Sequence, residues 1–248
     1  MVLLWIALAA FGVGVSIGIC GVAGFLLPIF FLGVCGYNAQ ESLFLSFGCF
    51  LISGALGAMN YNRRGELPAK AALPLGISSL CGSLIGALIG QFYVSSHVKT
   101  VLYIVVLLSG IMIFVQEFLG RKKNTVERIP DRRVLIPLGL FTAVICALSG
   151  AGGPVLVMPL LVVLGMSVRS AVGTALFGSV FIAVPALIVY GSKGFSTQLL
   201  LPMAVAFLAH AAGILLGSRI AGHVPQKPLK WGIGVFSILF SIWMLTKS

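Results

Sequence analysis

Eight charge-free apolar stretches follow one another along the chain, at 1–40, 42–62, 71–98, 100–116, 134–168, 170–192, 194–218 and 231–246. A helix needs roughly 20 apolar residues to cross about 30 Å of hydrocarbon, and most of these stretches have that length. The runs at 101–115 and 155–163 are continuously apolar, without the alternation of a β-barrel strand. Helices are therefore predicted throughout. The longest polar segment, 120–133, is too short for a soluble domain. The expected fold class is an all-α polytopic membrane protein.

The first and fifth stretches are too long for one simple helix, and each contains a small-residue element with proline. The first reads Gly21-Val-Ala-Gly24-Phe-Leu-Leu-Pro28; the second reads Ser149-Gly150-Ala-Gly152-Gly153-Pro154-Val-Leu-Val-Met-Pro159. Glycine and proline both oppose helix continuation, so each element predicts a helix break followed by a short segment, roughly 25–35 and 155–165. Setting Pro28 on Pro159 aligns the two with an offset of 131 residues. The correspondence extends further. Tyr61–Gly65 matches Tyr190–Gly194, Leu73-Pro74 matches Leu201-Pro202, and Gly86-xxx-Gly90 matches Gly213-xxx-Gly217. Residues 1–119 and 134–248 thus read as two transmembrane repeats joined by a basic loop at 120–133.

Each repeat holds four long helices plus the short post-break segment, and that segment decides the symmetry. If it does not cross the bilayer, the repeats are parallel; if it does, they are inverted, a common transporter plan. The inverted form places more of the 16 Lys and Arg residues on the side of the central loop, as the positive-inside bias favours.

Composition and charge sharpen this reading. Mean hydropathy is +1.14, and only 8% of residues are charged. The net charge of +11 arises from basic residues in short loops, six of them within 120–133. Membrane topology accounts for that distribution, so no nucleic-acid partner is expected. The lipid bilayer is the expected surrounding, the inner (plasma) membrane the expected location, and the central loop is placed in the cytoplasm. The N-terminal Met-Val-Leu-Leu-Trp lacks a basic n-region, so no cleaved signal peptide is expected. The five cysteines, Cys20, Cys35, Cys49, Cys81 and Cys146, lie in apolar stretches without metal-ligand spacing. No metal and no cofactor are expected. Small-xxx-small faces could pair either helices or protomers, so a homo-oligomer is open.

The candidate chemistry is anion binding. A helix that begins within the membrane presents unpaired N–H groups and a partial positive charge, and glycine lets a ligand approach them. The candidate substrate-binding residues are Gly150, Gly152, Gly153, Ser149 and Thr174, with Gly21 and Gly24 opposite; Ser42 and Ser46 could add hydroxyls. Glu41, Glu66, Glu117, Glu127 and Asp131 all sit at stretch ends or in loops, so no carboxylate lies deep in an apolar stretch to hold a cation. Candidates for coupling or gating are His210, Glu41, Pro28 and Pro159. Arg63, Arg169 and Lys193 border apolar stretches and read as interfacial anchors.

His210 is an ionisable group well inside a helix, which makes it a functional candidate. Ala209-His210-Ala-Ala-Gly213 resembles the histidine helix of rhomboid intramembrane proteases, and Ala147-Leu-Ser149-Gly150 approximates their nucleophile motif. A Ser149–His210 dyad is the catalytic alternative. The first repeat, with Gly82 and Gly18 at the matching places, has no such pair. The chain is therefore expected not to be an enzyme.

Ser149–Leu161, followed by Ala171-Val-Gly-Thr-Ala175, resembles the TauE/SafE family of membrane permeases. Gly21–Pro28 and Ser42-Leu-Phe-Leu-Ser46 carry a weaker version of the same pattern. The resemblance covers nearly the whole chain and implies a secondary carrier of small sulfur-containing anions: sulfite, sulfonates, thiosulfate or related organosulfur compounds. A channel-like anion facilitator is the other transport option. Val22 and Ala23 stand where the second element has Gly153 and Pro154, which implies unequal half-sites.

Overall fold

The computed structural model describes residues 2–21, 23–93 and 128–220, together with isolated helical positions between 104 and 115 and between 231 and 242. The stretches at 100–116 and 231–246, most of the loop at 120–133, Val22, His97, His223, Glu117 and Glu127 lie largely or wholly outside the described residues. The described chain is helical throughout, with no strand. In order it forms α1 (Val2–Cys20), α2 (Leu26–Gly33), α3 (Ala39–Arg63), α4 (Ala69–Tyr93), α5 (Arg132–Ser149), α6 (Gly153–Val163), α7 (Val168–Gly194), a 3-10 turn (Thr197–Leu199) and α8 (Leu200–Ile220). Six helical segments among these are long and apolar enough to cross a membrane. The two breaks fall where the glycine elements predict them, and α2 and α6 are the short segments that follow.

Positive φ angles fix how the repeats correspond. Gly21 (φ 71°) ends α1 and Gly150 (φ 69°) ends α5; Gly36 and Gly165 close the loops after α2 and α6. Asn38 and Ser167 cap α3 and α7 through side chains that accept from Glu41 N–H and Ser170 N–H. Every one of these pairs is separated by 129 residues. The proline register of 131 is therefore corrected. Pro28 is the third residue of α2, whereas Pro159 lies deep in α6, so the two are not equivalent. In the 129 register Ala23 stands opposite Gly152, Gly24 opposite Gly153 and Phe25 opposite Pro154; Gly18 no longer matches Ser149.

Side-chain and backbone neighbours give the helix directions. Along α1 and α8, Ala10 meets His210, Gly14 meets Ile214 and Gly18 meets Ser218, so the two run parallel. Along α4 and α5, Leu75 meets Gly139, Gly82 meets Ala143 and Gly86 meets Val144, again parallel. In contrast α3 and α7 are antiparallel: Gln40 lies at Gly194, Phe47 stacks on Tyr190, Gly54 meets Val180 and Tyr61 meets Gly173. Helix α8 runs with α3 (Gly48 to Phe207, Arg64 to Ser218), and α4 runs with α7 (Gly76 to Phe177, Gln91 to Val189).

Three consequences follow. First, α3 and α7 are counterparts in the two repeats yet run in opposite directions, so the axis relating the halves lies across the helices. For helices that span a membrane this is the inverted arrangement. Second, α1 and α3 run the same way, so residues 21–38 must carry the chain back between them. An eight-residue helix covers only about 12 Å at 1.5 Å per residue, and extended chain on either side supplies the rest. Third, each half lends its first helix to the other: α1 packs along α8, and α5 along α4.

The exchanged pairs are held by direct backbone approach. A Cβ placed on Gly213 or Gly217 would strike the carbonyls of Phe11 and Val15, and one on Gly82 or Gly86 those of Leu140 and Val144. The counterpart of Gly213-xxx-Gly217 in packing is therefore Gly82-xxx-Gly86, not Gly86-xxx-Gly90 as the sequence match gives, and Gly90 lies against Tyr190; both packed faces are consumed within the chain. Polar ties between the halves add to this. Ser83 donates to Ile182 O at 2.6 Å and Gln91 to Val189 O at 3.0 Å, while Tyr190 donates within the second repeat to Ala147 O at 2.8 Å. Arg169 meets Glu66 at 3.0 Å at the end of the pair, consistent with an interfacial anchor.

The inverted arrangement predicts opposite-sided labelling at equivalent exposed positions. Val34 and Val163 are 65% and 63% exposed, just after α2 and at the end of α6. In a chain freed of native cysteines, Val34→Cys and Val163→Cys should react with an impermeant thiol reagent from opposite sides of the membrane. Labelling of both from one side would contradict the antiparallel α3–α7 pair.

Candidate functional site

The two breaks converge. Gly21 and Gly24 from the first and Gly152 from the second line one cavity, together with Phe50 and Ser53 of α3 and Ser179 of α7. Both antiparallel helices thus contribute where they cross. The cavity is closed and small, about 10 Å³, enough for about one water molecule.

Local sequence explains why the breaks can be this close. At Gly150 the left-handed backbone reverses the chain, and a Cβ there would collide with Leu43 while touching Pro28 at 3.3 Å. At Gly21 the equivalent Cβ would reach Val172 at 2.6 Å. Leu43 and Val172 are themselves counterparts, so each repeat covers the other's break with its long central helix. Ala23 adopts φ 95°, a region that ordinarily favours glycine, at the place where the second repeat has Gly152. The first break is therefore the strained one.

Beyond Gly150 the chain extends for one residue and re-enters helix at Gly153. Gly152 is the N-cap of α6 without a side chain to cap it, Pro154 has no N–H to offer, and Val155 N–H turns back to Gly152 O at 3.1 Å. Gly153 is left with a first-turn amide that has no partner in its own helix. Its Cβ would meet Ser179 Oγ at 2.7 Å, so glycine lets the start of α6 approach that hydroxyl closely. The aligned peptides of α6 add a partial positive charge at this end.

Polar side chains divide into those already satisfied and those not. Ser149 donates to Ile145 O at 2.7 Å and accepts from Ala151 N–H at 3.3 Å; it shapes the turn, and its proton stays in α5. Ser46 donates to Ser42 O at 2.6 Å. Ser53 donates to Phe50 O at 3.2 Å and Ser179 to Ala175 O at 2.9 Å, protons parked on their own helices. The buried hydroxyls of Ser42 and Thr174 have no partner. They stand in the N-terminal parts of α3 and α7, which the antiparallel crossing puts on opposite sides of the cavity. Thr174 does not line the cavity itself.

The remaining candidates lie elsewhere. Glu41 closes a capping box with Asn38, accepting from its N–H at 3.0 Å, at the exposed start of α3. Pro28 packs beneath Gly150, and Pro159 is buried in the interior of α6. His210 is fully buried on the face of α8 toward α1; Nδ1 lies 3.0 Å from Ala10 O, and Nε2 has no partner. Ser149 and His210 thus hydrogen-bond to separate helices, not to each other.

Phe50, Ser53 and Ser179 were not singled out in the sequence as site residues. Ser53 and Ser179 are ordinary small polar residues in apolar helices. The signal that finds them is the 129 register, in which Phe50 and Ser179 occupy the same place in the two repeats. There the cavity has an aromatic ring on one side and a hydroxyl on the other. Phe50 packs edge-to-face on Phe47 at 5.8 Å, and a Cβ on Gly24 or Gly152 would contact its ring at 2.9 and 3.5 Å.

Comparison with known proteins places this architecture. Residues 6–244 match the family described as Sulfite exporter TauE/SafE. The chain is 25% identical to a probable membrane transporter protein, YdhB, of Bacillus subtilis, across 92% of this chain and 94% of that one. It is 24% identical to a probable membrane transporter protein of Haemophilus influenzae, across 96% and 92%. No solved structure matches.

The site geometry separates two neighbouring glycines. Gly150→Ala should cost about 2 kcal/mol or more, from left-handed strain and overpacking against Leu43. Gly152 has φ −63° and only the 3.5 Å contact with Phe50. Gly152→Ala should therefore keep its thermal midpoint in detergent while transport falls, because the methyl takes space from the cavity. Equal loss of stability in both variants would contradict this assignment.

Proposed function

This chain belongs to the TauE/SafE family of membrane transporters, and from that premise we propose that it is a secondary carrier of a small sulfur-containing anion bound between the two helix breaks. Sulfite, thiosulfate, sulfonates and related organosulfur anions are the substrate class. The observation that carries the reading is the convergence of both breaks on one cavity. Membership in the family brings in sulfur; the site chemistry brings in the anion.

The roles divide by residue. Gly153 offers a backbone N–H at the start of α6, and the Gly24 amide approaches from the first break. Gly21, Gly150 and Gly152 keep these segments free of side chains. Ser179 and Ser53 rotate their hydroxyls from their own helix carbonyls toward the anion, an exchange that one χ1 rotation permits. Ser149 positions the turn by holding Ala151 N–H. Thr174 and Ser42 offer unpaired hydroxyls along the approach from either side. Charge-assisted hydrogen bonds of this kind are roughly twice as strong as neutral ones, which offsets part of the anion's dehydration.

The cavity of about 10 Å³ is too small for such an anion as it stands, which supports a carrier that must rearrange rather than an open pore. Phe50 touches both breaks and is the gate in this reading. His210, bonded to α1, belongs to the helix pair that frames the movement. The protein sits in the inner membrane with residues 120–133 in the cytoplasm.

Counterflow in proteoliposomes tests the proposal. Labelled sulfite should exchange with sulfite, thiosulfate, sulfonates and sulfoacetate, and saturably. Exchange of carboxylates alone would overturn the sulfur assignment, and unsaturable flux would overturn the carrier. Ser179→Ala should weaken apparent affinity about tenfold or more, the scale of one hydrogen bond to a charged group. Ser149→Ala should leave transport measurable, whereas a serine protease would lose all activity.

A further inference from the structure

A second cavity lies far from the breaks, in the groove between α4 and α5. It has a volume of about 670 Å³, within the range of small-molecule sites. Lys70 and Arg132 stand at one end, in the first turns of two parallel helices, so both cations share one mouth. From there Leu73, Ile77, Ile136 and Leu140 run along the groove, each at least 39% exposed. Neither cation makes an ion pair among the described residues. Glu66, in the loop before α4, is engaged by Arg169 at 3.0 Å, and Asp131, the N-cap of α5 directly before Arg132, leaves the mouth with a net positive charge of one.

We propose that this groove binds an anionic phospholipid, with its phosphate between Lys70 and Arg132 and an acyl chain along Leu73, Ile77 and Leu140. Two dimensions agree. From Lys70 to Cys81 the groove follows α4 for eleven residues, about 16 Å at 1.5 Å per residue. One leaflet contributes about half of a 30 Å hydrocarbon core. A soluble anion would use the basic mouth and leave the apolar length unfilled. A zwitterionic lipid would fill the length and bring a phosphate, but its ammonium would offset the attraction of the two cations. Basic pockets between transmembrane helices are suited to anionic headgroups.

The internal repeat supplies a control. In the matching groove between α1 and α8, Arg132 corresponds to Leu3 and Lys70 to Leu201, because Gly82 and Gly86 pack on α5 as Gly213 and Gly217 pack on α1. The apolar helices recur there, but the cations do not. The anionic lipid is therefore held on one side of the molecule only, in the leaflet adjoining the 120–133 loop. This inference does not depend on the identity of the transported substrate.

Native mass spectrometry of the purified full chain, supplied with equal phosphatidylglycerol and phosphatidylcholine, tests it. Two cations should favour phosphatidylglycerol by about thirtyfold, each contributing about fivefold near the membrane surface. Lys70→Gln with Arg132→Gln should bring the ratio close to one. Ile77→Trp should reduce occupancy by both lipids, and excess glycerol phosphate should not displace phosphatidylglycerol. Leu3→Arg with Leu201→Lys should add a second bound phosphatidylglycerol, a gain that misfolding cannot produce. Unchanged selectivity in the Lys70/Arg132 double variant would overturn the proposal. So would full displacement by glycerol phosphate, which would make the mouth a soluble-anion site.

Discussion

A helix that breaks inside hydrocarbon leaves backbone N–H and C=O groups that no water can satisfy, and lipid cannot cover them. Most of this architecture follows from sheltering two such breaks. The long central helices α3 and α7 cross antiparallel, and each covers the other repeat's break, with Leu43 over Gly150 and Val172 over Gly21. The exchange of α1 and α5 between the halves then encloses the crossing from outside. Neither half could shelter its own break alone, because the covering residues belong to the partner repeat.

The two breaks share a plan but differ in chemistry. In the second, Gly150, Gly152 and Gly153 allow the reversal and re-entry without steric conflict. In the first, Ala23 takes a left-handed conformation opposite Gly152, and the following helix has only eight residues against eleven in α6. A longer helix sums more peptide dipoles and holds its first turn more firmly. The side chains facing the cavity differ in the same direction, with Ser179 beside the second break and Phe50 in its place in the other repeat. For the proposed carrier, such asymmetry would give the anion a preferred orientation, which strict symmetry would not.

Much of this was legible in the sequence because membrane helices leave a coarse signature. Charge-free runs and small-residue interruptions identified the described helices and both breaks, and the two-repeat reading is consistent with them. Direction was legible only through charge. A run of apolar residues is the same read either way, so only the placement of Lys and Arg favoured inverted repeats, and the contacts of Gln40, Phe47 and Tyr61 along α7 are consistent with that. The proline register failed for a related reason. Proline is tolerated at several positions in a helix whose backbone groups are otherwise sheltered, so Pro28 and Pro159 mark the elements without marking equivalent places. The φ angles of Gly21 and Gly150 are more exacting, since a left-handed turn admits few residues. Ser149 shows the limit of motif reading: its hydroxyl looked like a donor to a ligand, but the nearby Ile145 carbonyl takes the proton.

The distribution of contacts also indicates which parts can move. Backbone pressed on backbone, as at Gly213 against Phe11 or Gly82 against Leu140, cannot slide without losing many close contacts at once. The α1–α8 and α4–α5 pairs should therefore move as units. Around the breaks the contacts are different: the Phe50 ring on Gly24 and Gly152, Leu43 on Gly150, and hydroxyls bonded to their own helices. Each can change through a side-chain rotation without breaking helix hydrogen bonds. A closed cavity bounded by rotatable groups and framed by two rigid pairs needs little internal deformation to open. The cost falls on the α3–α7 crossing, where Phe47 stacked on Tyr190 ties the halves together and Tyr190 is itself held by Ala147 O. That crossing is where a rocking movement would have to pivot, because it is the contact that both repeats share and neither can give up.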